Sequence, residues 1–269
     1  MSQLARHAAV TASVGMALAA LVSGGPAGAQ GFPERPIAIV VPFSPGGSSD
    51  LLGRTVAEQL SQQSGASFVV ENKPGASGAV GTAEVAQSAA DGHTLIQVTA
   101  GTIALTPAMS ASVPFDTMED FAPIAFMVSE PNGLLINPEI PATTVEECIE
   151  WVKAQDAPVP YGSAGPGTPA HLGMELFTRA AGIEMTHVPY RGAAPAVADV
   201  VAGHVKAVFP TMASAISQVD SGAVRVLAVT SPERVEKLPD VPTVFELAMP
   251  EMAVPIWYGS FAPAGTPDE

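Results

Sequence analysis

The sequence predicts an α/β fold of two lobes joined by crossing strands, a clamshell whose cleft lies at the carboxyl ends of mostly parallel strands. Strand-like apolar runs alternate with helix-like segments across short Gly/Pro loops, which is the pattern of a parallel sheet covered by helices. The alternation pauses at a long extended stretch, 121–137, and then restarts. Apolar residues make up 47% of the chain, ample for packed cores.

The first lobe begins with the buried strand IAIVVP (37–42), a turn, and a helix over about 48–63. A strand at 67–70, a Gly-rich loop, a helix near 78–90 and a strand at 94–98 complete three strand-helix steps. The stretch 121–137, with two prolines and an apolar run, suits a crossing strand. Thr143 or Thr144 caps the next helix, to about Ala154, with Glu146 and Glu147 in its favourable first turn. The second lobe follows: strands at 159–161, 185–188, 205–210 and 224–229 alternate with helices at 169–181, 193–202 and 213–221. In domain terms, 30–130 and 231–269 form lobe 1, and 131–230 form lobe 2.

The first thirty residues read as an export leader rather than as part of the fold. Arg6 and His7 precede an apolar run from Ala8 to Val22, and Ala27-Gly28-Ala29 supplies a small-x-small site. Cleavage is expected after Ala29, and 1–29 is the signal peptide. The apolar run is short of the roughly 20 residues a membrane span needs. At the other end, Ala264 to Glu269 combines an N-cap candidate, a proline and acidic residues, so a further helix is announced and the chain reads as truncated.

Lys and Arg number 11 against 26 Asp and Glu, a formal net charge of −15. Nucleic acid and anionic membranes both need basic patches, so neither is an expected partner. An anionic ligand would have to be held mainly by backbone dipoles. The lone Cys148 excludes an internal disulfide and reads as a core thiol.

Four loops run from a strand into a helix at the cleft end of a sheet: PFSPGGSSD (42–50), ENKPGASGAVG (71–81), YGSAGPGTPAHLG (161–173) and HVPYRGAAPAV (187–197). Each offers amide N–H groups at a helix start, where the macrodipole favours an anion. Gly46, Gly47 and Gly167 let the backbone approach a ligand, while Ser44, Ser77, Ser163 and Thr168 add hydroxyls. Taken singly, such loops are ordinary turns and caps; four on one cleft point to a binding site. Asp50 opens the first helix, where it either stabilises the helix dipole or serves the site by orienting a loop or meeting a ligand donor, two readings the sequence leaves even. Arg191, with Tyr190 beside it, faces a ligand or the other lobe, or forms a surface ion pair. A dinucleotide site is discounted because Gly165-x-Gly167 lacks its third glycine. Neither Ser77 nor Ser163 lies in a G-x-S-x-G elbow, His171 stands in a helix first turn, and no His/Cys/Asp/Glu group has metal spacing. No catalytic residue, metal or cofactor is expected.

These segments, together with FPERPIAIVVPFSPGGSSD and LAVTSPERVEKLPDVPTVFE, resemble the extracytoplasmic binding proteins of tripartite tricarboxylate transporters, the Bug family. The resemblance implies a type II periplasmic binding protein, or Venus flytrap, that binds small organic carboxylates through loop amides, hydroxyls and ordered waters. It implies that Phe43, Ser44, Gly46, Gly47 and Asp50 close on the ligand opposite Ser163, Gly167, Thr168 and His171. Ser77, Thr99, Tyr190 and Arg191 complete the candidate set. Thr106-Pro107-Ala108 stands where relatives commonly carry an Asn-Pro pair. The expected setting is the periplasm, and the expected partners of this monomer are a carboxylate ligand and membrane transporter subunits. Two alternatives stay open: a secreted hydrolase-like enzyme acting on a carboxylate ester with Ser163 or Ser77 and His171, and ligand delivery to a signalling receptor.

Overall fold

The computed structural model describes residues 31–110 and 112–267. The expected leader, its cleavage position and the acidic pair Asp268-Glu269 lie outside them.

In β1 (Ile37–Val41) the side chains of Ile37, Ile39, Val40 and Val41 are all buried, as a strand covered on both faces requires. It pairs in parallel with β2 (Phe68–Asn72) and β3 (Thr94–Thr99). The first sheet is completed by β10 (Trp257–Pro263), antiparallel to β3, and by the edge strand β4 (Phe121–Ser129), in the order β2-β1-β3-β10-β4. Pro123 is tolerated in β4 because an edge strand has one unpaired side.

The second sheet has the same plan. Its strands are β5 (Gly133–Ile136), β6 (Val159–Ser163), β7 (Met185–Pro189), β8 (Ala207–Val208) and β9 (Arg225–Val229), ordered β7-β6-β8-β5-β9. Strands β6, β7 and β8 run parallel, while β5 is antiparallel to both β8 and β9. Each sheet therefore receives one reversed strand, which is the geometric consequence of the chain crossing over and back.

Helix α1 (Ser48–Ser64) follows β1 and ends at Gly65 in a left-handed cap. Next come α2 (Ala79–Ala86) and the short α3 (Thr106–Met109). In the second lobe α4 (Val145–Lys153) is capped by Thr144, whose side chain accepts from the Glu147 N–H. Helix α5 (Pro169–Ala181) is capped by Thr168, and α6 (Ala193–Val201) and α7 (Ile216–Asp220) complete the set. Tyr161, Met174, Phe177 and Phe209 centre one cluster of this lobe, and Val200, Val208 and Val229 another.

Three features differ from the sequence reading. The stretch 121–137 is two strands in two sheets, because Glu130-Pro131 interrupts it and Pro131 has no N–H for a ladder. Strand β10 lies within a tail to which no element had been assigned. The residues from 231 onward, expected in lobe 1, first pack on the second lobe: Val235, Leu238 and Val241 touch one cluster, Val244 and Met252 belong to the other, and Val229 bridges Thr243. Apolar burial holds this segment there, so the return crossing falls just before β10.

Candidate ligand-binding site

The β1–α1 loop is set by Asp50 in the first turn of α1. Its carboxylate accepts from the Gly46 N–H at 3.0 Å, from Arg54 Nε at 3.0 Å and from Asn72 Nδ2 at 2.9 Å. Burial raises the Asp50 pKa, but the donors of Arg54, Gly46 and Asn72 outweigh it and hold the group below the usual carboxylate range. With its oxygens so engaged, Asp50 orients the loop. Gly46 takes a φ of 86°, a left-handed conformation that suits glycine, and Gly47 stands at the N-cap with no side-chain cap. The first-turn amides of α1 are thereby left open.

Across from it, α6 begins after Gly192, again without a side-chain cap. Helix α5 differs, because Thr168 Oγ1 accepts from the His171 N–H at 3.4 Å and donates to the Gly165 carbonyl at 2.7 Å. Between the lobes lies a cavity of about 50 Å³. Phe43, Ser44, Gly47, Ser48, Ser49 and Thr99 wall it from the first lobe; Asn132, Ala164, Thr168, Ala170, Ala193, Pro210 and Thr211 wall it from the second; Ile256 and Tyr258 close it at the return crossing. No charged side chain is among these lining residues.

The lobes touch around this cavity. Ser44 donates to the Arg191 carbonyl from its N–H at 3.0 Å and from its hydroxyl at 3.1 Å. Ser48 and Thr211 share a hydroxyl bond of 2.5 Å, and Ser77 Oγ donates to the Pro166 carbonyl at 2.6 Å. The Tyr258 hydroxyl donates to Glu130 Oε1 at 2.6 Å, and burial, followed by Glu130, raises its pKa so that it remains a donor. Ser77 itself sits at φ 55°, an uncommon conformation for a residue with a Cβ, and a Cβ on Gly165 would come within 2.6 Å of its Oγ. The contact fixes two loop tips against each other.

Of the candidate residues, Phe43, Ser44, Gly47, Thr99 and Thr168 line the cavity. Gly46 and Asp50 shape its first loop from behind, and Ser77 acts as a lobe-to-lobe contact. Arg191 contributes its carbonyl rather than its exposed guanidinium, and Tyr190 donates to Asp199 Oδ2 at 2.6 Å. Ser163, 2% exposed, bonds to His187 Nε2 at 2.7 Å and to the Gly165 carbonyl at 3.2 Å. Gly167 donates its N–H to His171 Nδ1 at 3.1 Å. The His171 and His187 rings stack at 4.2 Å, and His187 also stacks on Tyr161. Burial, then His171, pushes the His187 pKa down to about 4, and burial lowers that of His171. This cluster is the frame under the third loop. The second loop contributes no lining residue.

Sequence reasoning missed Asn132, Thr211, Ile256 and Tyr258. All four lie at or near the crossings, which no local motif marks.

A closed two-lobe solute-binding protein of the flytrap type is the class that this fold and cavity define. The chain matches the profile described as "Tripartite tricarboxylate transporter family receptor" over residues 52–269, and it belongs to that family, TctC. Protein BugT of Bordetella pertussis (strain Tohama I) is 35% identical over 256 residues, 95% of this chain and 78% of that protein. Among solved structures, that of R. palustris Rpa4515 with adipate has a TM-score of 0.85 at 34% identity, covering 88% of this chain and 80% of that one. MatC of Rhodopseudomonas palustris with bound malate has a TM-score of 0.83 at 31% identity, covering 88% and 81%. The family is one of solute-binding receptors, not of enzymes.

Proposed function

We propose that this protein captures a small organic carboxylate in the periplasm and presents it, as a monomer, to the membrane subunits of a tripartite transporter. One observation carries the reading: the uncapped N-termini of α1 and α6 meet, from opposite lobes, at a cavity with no charged side chain among its lining residues. Helix-end amides supply partial positive charge where side chains do not. A ligand touching both ends favours the closed form by its differential contacts, and closure is what a membrane partner would recognise. At about 50 Å³ the cavity takes roughly three to five water-sized groups, the scale of a short-chain acid. Relatives holding adipate and malate support the ligand class.

We assign the contact role to the backbone at 47–50 and 193–194, with Phe43, Ser44, Thr99 and Thr168 shaping the pocket. Native mass spectrometry of freshly purified protein, followed by calorimetric titration with a panel of mono-, di- and tricarboxylates, tests this. Saturable binding of at least one acid is expected; indifference to all of them would remove the reading.

A further inference from the structure

We infer that His171 is a positioning residue that works as an acid-sensitive latch: its bare Nδ1 holds one peptide plane of the third loop against the first lobe, and protonating it releases that contact. The consequence for ligand holding rests on the carboxylate reading above, whereas the loop mechanism stands without it.

The peptide that joins Pro166 to Gly167 is engaged at both ends. Its N–H donates to His171 Nδ1 at 3.1 Å, and its carbonyl accepts from Ser77 Oγ of the first lobe at 2.6 Å. A peptide unit is rigid and, when trans, points its N–H and C=O in opposite directions, so turning one end turns the other. The plane turns about ψ of Pro166 and φ of Gly167, and glycine tolerates the change of φ from its present 75°. Gly165, one residue back, is held independently, its carbonyl accepting from the hydroxyls of Ser163 and Thr168. Thr168, one residue on, walls the cavity. The state of His171 therefore reaches both the lobe-to-lobe contact and the edge of the ligand pocket through a single peptide plane.

A backbone N–H only donates, so Nδ1 must carry a lone pair and the proton of the neutral ring sits on Nε2. A second proton would set N–H against N–H, and the bond to Gly167 cannot survive it. The titratable groups around the ring come from three elements. Glu175, on the same helix, has Oε1 at 3.8 Å from Nε2 and accepts from the Tyr161 hydroxyl of β6. His187, on β7, stacks on the ring at 4.2 Å and on Tyr161 beyond it. Met109 and Thr106 of α3 come nearest to Gly167 from the first lobe, and neither titrates. Two stacked imidazoliums repel, so the pair takes one proton before the other. Burial, then His171, pushes His187 down to about 4, which leaves His171 to charge first. Burial lowers the His171 pKa and Glu175 works against it, so the latch holds at neutral pH and opens on the acid side of 6.5.

The first test is hydrogen exchange at the Gly167 amide of the ligand-free protein, followed by NMR at about pH 7.5 and 5.0 and corrected for the intrinsic pH dependence of exchange. Wild-type protection should fall by about threefold or more at the lower pH, the scale of one hydrogen bond. In His171→Asn, Oδ1 stands near the position of Nδ1 and accepts without titrating, so protection should persist at both pH values. His171→Leu offers no acceptor and should be unprotected at both. The second test is calorimetric titration with adipate and malate, the acids held by relatives. Between the same two pH values, wild-type affinity should fall about three- to tenfold further than that of His171→Asn, a comparison in which the acid's own titration cancels. Ser77→Ala cuts the other end of the peptide, and should weaken binding at pH 7.5 by a similar factor and lose the extra fall. Wild-type exchange indifferent to pH, a pH response surviving in His171→Asn, or an extra fall in affinity surviving in Ser77→Ala would overturn the inference. Binding of neither acid, with exchange behaving as expected, would count against carboxylate capture and leave the latch standing.

Discussion

Replacing Asp50 by Asn changes one charge and no shape, and it should loosen the loop that presents the α1 amides. Asp50 is 4% exposed, and its named partners are all donors: the Gly46 N–H, the Arg54 guanidinium and Asn72 Nδ2. An Asn retains one acceptor oxygen and turns an NH₂ group against these donors. Arg54 is 54% exposed, so water replaces much of its share. Losing one bond to a charged acceptor and weakening another costs about 2–3 kcal/mol, which lowers the melting temperature by roughly 4–12 °C in a domain of this size. The sign of the pH effect follows from the depressed Asp50 pKa. The stabilisation is complete above the unfolded value of about 3.9 and is lost as pH falls through the lower folded value. Differential scanning calorimetry at pH 7 and along a series below pH 4 measures both effects. Acid affinity, measured by titration, should fall with stability. A variant within about 0.5 kcal/mol of wild type, with the same acid profile, would refute the assignment of Asp50 as the residue that sets this loop.

Three further outcomes follow from particular contacts. A Cβ on Gly173 would lie 2.3 Å from Cε1 of the fully buried Phe209, so Gly173→Ala should cost about 1–3 kcal/mol in a denaturant titration. Thr211→Val removes the 2.5 Å bond to Ser48 across the cleft, and should weaken ligand affinity by about two- to tenfold and raise the radius of gyration seen by small-angle scattering. Because His187 is held near pKa 4, the unfolded chain binds its proton first, and stability should fall as pH drops from about 6.5 towards 4. His187→Phe, which retains a ring against Tyr161 and His171, should flatten the unfolding free energy across that window.

Much of the fold was legible because parallel strands buried on both faces leave continuous aliphatic runs, as in 37–41, and because helix starts carry chemical marks such as Thr144 with Glu147 and Thr168 with Pro169. The crossings were not legible. Pro131 splits a run that otherwise looks like one strand, and β10 pairs with partners more than a hundred residues away, which no local pattern encodes. The site divides in the same way. Loop residues such as Gly47 and Ser44 announce themselves by composition, whereas Asn132 and Tyr258 become pocket residues only through the closing of two lobes. The Gly-rich second loop misled for a related reason, since its tip meets the third loop at Pro166 and does not reach the cavity.

The central claim is that backbone dipoles at two facing helix ends hold the anion. A crystal structure of the protein with a bound organic acid tests it most directly. The account predicts carboxylate oxygens within about 3.2 Å of amide nitrogens at 47–50 and 193–194. An acid seated elsewhere, or held chiefly by the side chain of Arg191 or Lys73, would contradict it.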